Sequence, residues 1–472
     1  MSSPFAPPFR FDGRDLAGIV GGELRGEISA GRWRVTTDSR LATDDRLFIA
    51  LAGERFDGHD FVAKVLEGAA TGAIVAADHP VARIEPAPGR FLITVDDTLR
   101  ALGALAAWVR ASVSVPVLGL TGSSGKTTTK EMIAAVMSEG GRGLATQGNL
   151  NNEIGLPLTL LHWQEDMRWM ALEMGMSAAG EIRRMAEIAQ PTIRLITNVA
   201  PAHLENFADL EAVAGAKGEL FEVAQPGDLL VSNADDPLAT RFPRPEGARE
   251  IRFGTNPTAD VRIVKVEPRG DYGHRIWLSM IGQELVVDLG LPGRHNVENV
   301  AAAAAVTWAA GVSLDSIVGG LENVRLPAGR MAALTLGDVL VFDDSYNANP
   351  RSVKAALRTL TGGARKGRCV AVLGDMLELG PTGPALHREV GRLAAELRVD
   401  RLVTVGPLSW HAMEGALAAG MPTECAVWRE DADEVADLLR DDLRPDDRLL
   451  VKGSRGMRME RVITALKEEL GC

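Results

Sequence analysis

The sequence predicts an α/β protein of three domains: a small α/β unit over 1–113, a central, mainly parallel sheet with an antiparallel subsheet over 114–326, and a Rossmann-like α/β unit over 327–472. Three observations predict it. Short apolar runs alternate with amphipathic stretches along most of the chain, a rhythm that builds parallel sheets covered by helices. A glycine-rich loop at 119–129 follows an apolar run at 115–118 and opens a helical stretch, the arrangement that holds nucleotide phosphates. The 472 residues, at about 100–200 per domain, suit two to four domains, and 46% hydrophobic content supplies substantial cores.

In the first domain, strand signals at 34–36, 47–51, 73–76 and 91–95 alternate with helical signals at 61–67 and 99–111, and Pro116 stands near its end. The central domain then reads as strand, phosphate loop and helix, the helix placing Met132, Ile133, Val136 and Met137 on one face. Strands at 168–174, 193–198 and 228–233 follow, with helices at 178–189 and 210–223 between them. Period-two alternation over 261–289 around a turn at 269–273 predicts antiparallel hairpins, before an alanine-rich helix near 296–310. After Pro327 and Gly329 a third alternation begins, with strands at 339–343, 369–374, 401–405 and 448–451 and helices at 353–360, 384–397, 432–439 and 459–468. No repeat of 20–50 residues and no low-complexity tract interrupts this order.

The balance of 51 basic against 63 acidic residues, net −12, argues against nucleic acid or an anionic membrane as the main partner and leaves small anionic ligands open. Cys369, Cys425 and Cys472 are few, distant and odd in number, which fits neither a disulfide framework nor a zinc site and points to a reducing cytoplasm. Residues 1–12 contain Pro4, Pro7 and Pro8 and no signal-like apolar core, and the longest uncharged apolar-rich stretch, 300–310, is too short to span a bilayer. A soluble, unprocessed protein without membrane insertion is expected.

The loop carries three parts that act together on a phosphate: glycines that let backbone N–H groups converge (Gly122, Gly125), a cation (Lys126) and a hydroxyl for magnesium (Thr127). Its glycines fall at 119, 122 and 125, a spacing that departs from the strict Gly-x4-Gly-Lys-Ser/Thr pattern. Glu173 ends a strand, where a doubly wound sheet presents side chains to nucleotide, so its carboxylate suits magnesium beside Thr127 as well as an ordinary strand-end role. His203 follows the next apolar strand and reads equally as a metal ligand, a phosphate donor or a histidine without chemistry. Lys217 sits on a helix that otherwise looks packed; a plain ammonium would be repelled by a metal ion, so a role there requires a lost proton or an anionic modification such as a carbamate.

Taken in order, these motifs resemble the Mur ligases, ATP-dependent enzymes that extend the peptide of the bacterial cell-wall precursor. Residues 119–128 match the family's phosphate loop, including the unusual glycine spacing, and 198–203, Ala216-Lys217, 293–299 and 343–350 fall in the family's order over essentially the whole chain. Within the family, Thr37-Asp38-Ser39-Arg40 and residues 47–61, 149–155, 373–380 and 452–454 suit the member that joins D-alanyl-D-alanine to UDP-N-acetylmuramoyl-tripeptide. A related ligase adding the third stem residue and a folylpolyglutamate synthetase are the alternatives, and the first domain speaks against the folate enzyme. Residues 205–209 depart locally: relatives more often have glycine at 206 and Gly-Ser after the phenylalanine.

The resemblance implies ATP and Mg2+ as cofactors and an acyl-phosphate route. It implies that Gly122, Ser123, Ser124, Gly125, Lys126, Thr127 and Thr128 hold the ATP phosphates, that Asn299 lies at the adenine with His295 and Asn296 alongside, and that Arg330 and Asp344 reach ATP from the third domain. Thr127 and Glu173 are implied to hold one magnesium, and His203 and a carbamylated Lys217 a second, with Lys126, His203 and Lys217 as the catalytic set. Ser39 and Arg40 are implied at the UDP end of the substrate, with Asn151, Asn152, Asn347 and Asn349 as further substrate contacts. A monomer is expected.

Overall fold

The computed structural model describes residues 13–27, 33–43, 45–53, 56–68, 70–201, 205–270, 272–363 and 366–470. Its strands form three sheets.

The first sheet runs Glu23–Gly26, Phe91–Val95, Gly72–Ala76, Arg46–Ile49, Arg34–Thr36, all neighbours parallel except the first pair. The four strands expected from sequence are present; Glu23–Gly26 and the helix Gly13–Val20 are additions. The β-branched and aromatic run at Phe91–Val95 is buried throughout and pairs on both sides, which is why it reads so plainly as a strand. Helices Val62–Glu67 and Thr98–Ala111 cover the sheet, the latter started by Asp97, whose side chain accepts from the Leu99 and Arg100 N–H groups.

The central sheet has nine strands in the order Gln283–Leu289, Gly273–Met280, Val261–Arg269, Arg249–Gly254, Leu229–Asn233, Ile193–Ile196, Val117–Thr121, Met170–Glu173, Leu144–Ala145. The hairpins belong to this same sheet: Val261 pairs parallel to Phe253 and antiparallel to Met280. The two-residue strand Leu144–Ala145, the strand Arg249–Gly254 and the helices Gly155–Leu160 and Leu314–Glu322 are additions. Helix His295–Ala309 is the spine of the core, with Ala301–Ala305 at most 1% exposed. Its small side chains let it lie close to the sheet and to helix Lys126–Ser138. Gly320 serves the same packing, since a Cβ there would stand 2.4 Å from the Val136 Cα.

An ion pair is buried at this sheet. Arg194 points its Nε and Nη2 at Asp228 Oδ2 (3.1 and 2.9 Å) and donates through Nη1 to the Leu220 carbonyl (2.9 Å). Removing one partner of such a pair strands the other, so Arg194→Met is expected to destabilise the protein by about 3–5 kcal/mol in urea unfolding. A loss under about 1 kcal/mol, the scale of an exposed pair, would show that Asp228 does not depend on the guanidinium.

The third sheet runs Ala332–Leu336, Val339–Asp344, Arg448–Lys452, Cys369–Gly374, Arg401–Val405, Ala426–Arg429, parallel except for its first edge strand. Apolar clusters lie on both faces, covered by Pro350–Thr361, Gly383–Glu396 and Trp410–Ala418 on one side and Asp433–Asp442 and Glu460–Leu470 on the other. The edge strands Ala332–Leu336 and Ala426–Arg429 and the helix Trp410–Ala418 add to the sequence expectation. Among the described residues no helix is long and apolar enough to cross a membrane.

Candidate active site

The carboxyl-side strand ends of the central and third sheets open onto one cavity of about 650 Å3. That volume lies within the roughly 300–1,000 Å3 of small-molecule sites. Its wall includes the loop Ser123–Thr128, Glu173, Asn151 and Asn152 from the central region, Arg330, Asp344, Tyr346 and Lys452 from the C-terminal region, and Leu99 from the first.

The phosphate loop is shaped by two glycines with positive φ. A side chain at Gly122 (φ +150°) would meet Thr197 Oγ1, and one at Gly125 (φ +80°) would stand 2.4 Å from Asn299 Oδ1. Gly125 then hands the chain to helix Lys126–Ser138, whose free N–H groups and dipole favour an anion. The strand end after Ile193–Ile196 clamps the loop from outside: Thr197 Oγ1 and Asn198 Nδ2 donate to the Ser124 carbonyl (2.8 and 3.0 Å), and Asn198 Oδ1 accepts from Ser124 N–H (3.1 Å). Ser123 Oγ donates to the Ala200 carbonyl and accepts from Ala200 N–H, both at 2.9 Å. Residues 197–200 thus give the loop its shape, a role the motif at 198–203 did not disclose.

Lys126 Nζ donates to the Gly122 carbonyl at 2.7 Å. Burial lowers its pKa, opposed by Glu173 and Glu378 and assisted by Arg330. Thr127 Oγ1 donates to Glu173 Oε2 at 2.9 Å, and Asn151 Nδ2 holds Oε1 at 2.9 Å. Hydroxyl and carboxylate oxygens side by side are the hard donors that magnesium takes. Among the described residues no three His, Cys, Asp or Glu side chains gather as a metal cage, and a magnesium shared with phosphates does not require one.

Lys217, on helix Leu210–Glu222, is 1% exposed. Burial, reinforced by the nearby Lys126 charge, brings its pKa well below the usual lysine value. His203 lies outside the described residues.

Asn299 lines the cavity, and its side chain is already committed: Oδ1 accepts from Thr129 Oγ1 (3.2 Å) and Nδ2 donates to Asn296 Oδ1 (2.9 Å). Asn296, 1% exposed, stands behind it and donates to the Pro292 carbonyl at 2.7 Å. Together they tie helix His295–Ala309 to the loop helix. His295 faces the cavity; burial pushes its pKa down to about 4, leaving a neutral ring whose Nδ1 has no partner among the described residues. A buried polar nitrogen of this kind, on a cavity wall, fits a nucleotide hydrogen-bonding group.

From the third sheet, the Arg330 guanidinium stacks on Tyr346 at 3.9 Å, with Arg455 on the same ring at 5.4 Å. Asp344 is held by Lys452. Asn347 lines the cavity, its Oδ1 accepting from Ala348 N–H. Asn349 is a helix cap: it shares a capping box with Ser352 at the start of Pro350–Thr361 and reaches across to the Ser123 carbonyl at 3.3 Å. Arg351 spans the same gap to Glu298 at 3.1 Å. Asn152 Oδ1 accepts from Gly155 N–H at 2.8 Å, at the first residue of helix Gly155–Leu160.

Ser39 and Arg40 lie apart from this cavity. Arg40 is exposed and forks onto its neighbour Asp38 (Nε to Oδ1 2.9 Å, Nη2 to Oδ2 2.7 Å), holding that carboxyl at about 2. Lys452, Tyr346, Arg351 and Glu378 line the cavity without having been singled out individually from the sequence, although 452–454 and 373–380 were marked as motifs.

Family models for the Mur ligase catalytic domain, middle domain and glutamate ligase domain match residues 34–110, 120–307 and 329–455. The UDP-N-acetylmuramoyl-tripeptide--D-alanyl-D-alanine ligase of Escherichia coli is 39% identical over 465 residues, covering 97% of this chain and 98% of its own. The chain belongs to the Mur ligase family. Among solved Mur ligases, MurF from Acinetobacter baumannii superposes with a TM-score of 0.88 at 32% identity, over 98% of this chain and all of that one. A MurF ligase from Thermotoga maritima, solved in complex with ADP, superposes with a TM-score of 0.82 at 27% identity, over 93% and 98%.

Proposed function

We propose that this Mur ligase joins D-alanyl-D-alanine to UDP-N-acetylmuramoyl-tripeptide at the expense of ATP, giving the pentapeptide precursor of peptidoglycan. One observation carries the reading most directly: the cavity joins a phosphate loop to polar side chains of the C-terminal sheet, within a chain matched end to end by ligases of that name.

The terminal carboxylate of the tripeptide attacks the γ-phosphorus of ATP, giving an acyl phosphate and releasing ADP. The dipeptide amine then attacks the acyl carbon, and collapse of the tetrahedral species breaks the C–O bond to phosphate and leaves the amide. The first step brings two anions together, and Lys126 at the loop offsets their repulsion. Thr127 and Glu173 are the residues that would hold a magnesium ion, and His203 and a carbamylated Lys217 would hold a second. When bound, the ions neutralise charge on the transferring phosphoryl group. Asn299 and His295 line the nucleotide side with Arg330 and Asp344 opposite, Asn296 supports Asn299 from behind, and Asn347 lies toward the dipeptide. Ser39 and Arg40 receive the UDP end, with Asn151 and Asn152 between. Residues from all three parts of the chain line the cavity, and closure around both substrates would keep water from the acyl phosphate.

The domain limits that suit these roles are 1–113, 114–326 and 327–472, and the enzyme works as a cytoplasmic monomer. The deciding experiment is phosphate release from ATP with the tripeptide nucleotide, with and without D-Ala-D-Ala, followed by mass analysis. Release that requires both substrates, with a pentapeptide product, is expected; sustained release without an amine acceptor would instead make the protein an ATPase.

A further inference from the structure

The motif Lys452-Gly453-Ser454 ends a strand of the third sheet, and neither step of the reaction uses it. Its lysine is 2% exposed, yet it lies on the wall of the active cavity. Burying an ammonium costs several kcal/mol unless it is paired, and an apolar residue would fill the same space at no such cost. The pairing comes from sheet register. Strands Val339–Asp344 and Arg448–Lys452 run parallel with Asp344 directly opposite Lys452, so both side chains leave the same edge of the sheet. Lys452 Nζ reaches Asp344 Oδ2 at 2.6 Å and the Asn347 carbonyl at 2.8 Å.

Two residues later Ser454 continues the brace. Its Oγ accepts from Leu377 N–H at 2.9 Å and donates to the Ala348 carbonyl at 3.3 Å. Gly453 lets the strand end pass close to its neighbours: a Cβ there would stand 2.5 Å from Met459 Cγ and 3.2 Å from Gly374 Cα. The three residues therefore fasten the loops 344–349 and 375–378 to one strand end, and Asp344, Asn347 and Glu378 reach the cavity from those loops.

We propose that Lys452 is a positioning residue for the nucleotide: it fixes one oxygen of Asp344 and aims the other into the cavity as an acceptor for a nucleotide hydroxyl donor. The inference rests on the placement of Asp344 at the nucleotide given above. Lys452 prevents the carboxylate from rotating, so the acceptor is preorganised before ATP arrives. The second bond, to the Asn347 carbonyl, sets the start of the segment that leads to Asn349 and its contact with the phosphate loop.

The test measures ADP binding by calorimetry to the full chain, which needs no turnover and no peptide substrate. Lys452→Met, Lys452→Gln, Asp344→Asn and the Lys452→Met/Asp344→Asn double variant are compared, each first shown to melt cooperatively; the glutamine variant serves if the methionine one does not fold. Loss of a charge-assisted contact predicts that either single change weakens ADP binding by ~10-fold or more. If Lys452 acts through Asp344, the double variant binds within about twofold of the weaker single variant. Unchanged affinity in the Lys452 variants while Asp344→Asn is weakened, or losses that multiply in the double variant, would overturn the inference and leave Asp344 in place. Unchanged affinity in Asp344→Asn would remove Asp344 from the nucleotide site, and the inference with it. Failure of the wild-type chain to make pentapeptide while binding ADP would sink the substrate reading alone.

Discussion

Lys126→Ala is expected to lower the turnover of amide formation by roughly a thousandfold or more while leaving the melting temperature nearly unchanged. The two halves of that expectation have separate causes. Structurally, the lysine makes one hydrogen bond, to the carbonyl of Gly122 in its own loop, and the loop is held in shape without it by Thr197, Asn198 and the Ser123–Ala200 pair. Chemically, a carboxylate and a triphosphate repel each other as they approach, and a fixed cation in a recess shielded from water is worth far more than one in bulk solvent. Burial depresses the Lys126 pKa and Glu173 acts against that, so the charge is supported by the carboxylate that also receives the Thr127 hydroxyl. The Arg330 charge is also felt at Lys126, so a cation stays on the cavity wall when Lys126 is removed. Single-turnover formation of acyl phosphate is the measurement. A folded Lys126→Ala protein within about tenfold of wild type would remove the residue from the transferring phosphate.

Much of this architecture was legible in the sequence, because buried parallel strands such as Cys369–Gly374 are uninterrupted apolar runs and the helices between them keep one apolar face. What escaped has physical reasons. Glu23–Gly26 and Leu144–Ala145 are edge strands of four and two residues, too short for a period to register. Arg249–Gly254 begins with charged residues that stay partly exposed and is buried only at its last two positions, so its alternation is spoiled. In the site, the phosphate loop was visible because its glycines, cation and hydroxyl are contiguous. The Asp344–Lys452 pair was not, because its partners stand 108 positions apart and meet only through strand register. The asparagines show a subtler limit. Asn349 stands out in a motif, yet its side-chain bonds go to a helix cap and a loop carbonyl, and Asn299 is tied to Thr129 and Asn296. Residue type and position mark these as important without saying whether they face a ligand or hold up something that does.

Lys217→Ala should cost about as much activity as loss of Lys126, and short-chain carboxylic acids should restore a measurable part of it. The lysine is 1% exposed beside a second cation, and both burial and that neighbour press its pKa down. Since the folded-state value is the lower one, the unfolded chain holds the extra proton, and the cost of burying Lys217 falls as pH rises through the window up to its unfolded value. An ammonium here is repelled by Lys126, whereas a carbamate is attracted by it. On the proposed carbamate reading, the deprotonated amine that the lowered pKa favours attacks carbon dioxide through its lone pair, one proton is released, and the side chain becomes an N-carboxylate that would serve as an oxygen ligand for a metal ion. Replacing the whole side chain by alanine leaves a space that acetate or propionate can enter carboxylate first. Equilibration with 13C-labelled bicarbonate should give a carbamate carbon signal in the wild-type protein that Lys217→Ala lacks. A wild-type spectrum without that signal, together with a Lys217→Ala protein that no carboxylic acid rescues, would leave Lys217 as a buried lysine and take the carbamate out of the mechanism.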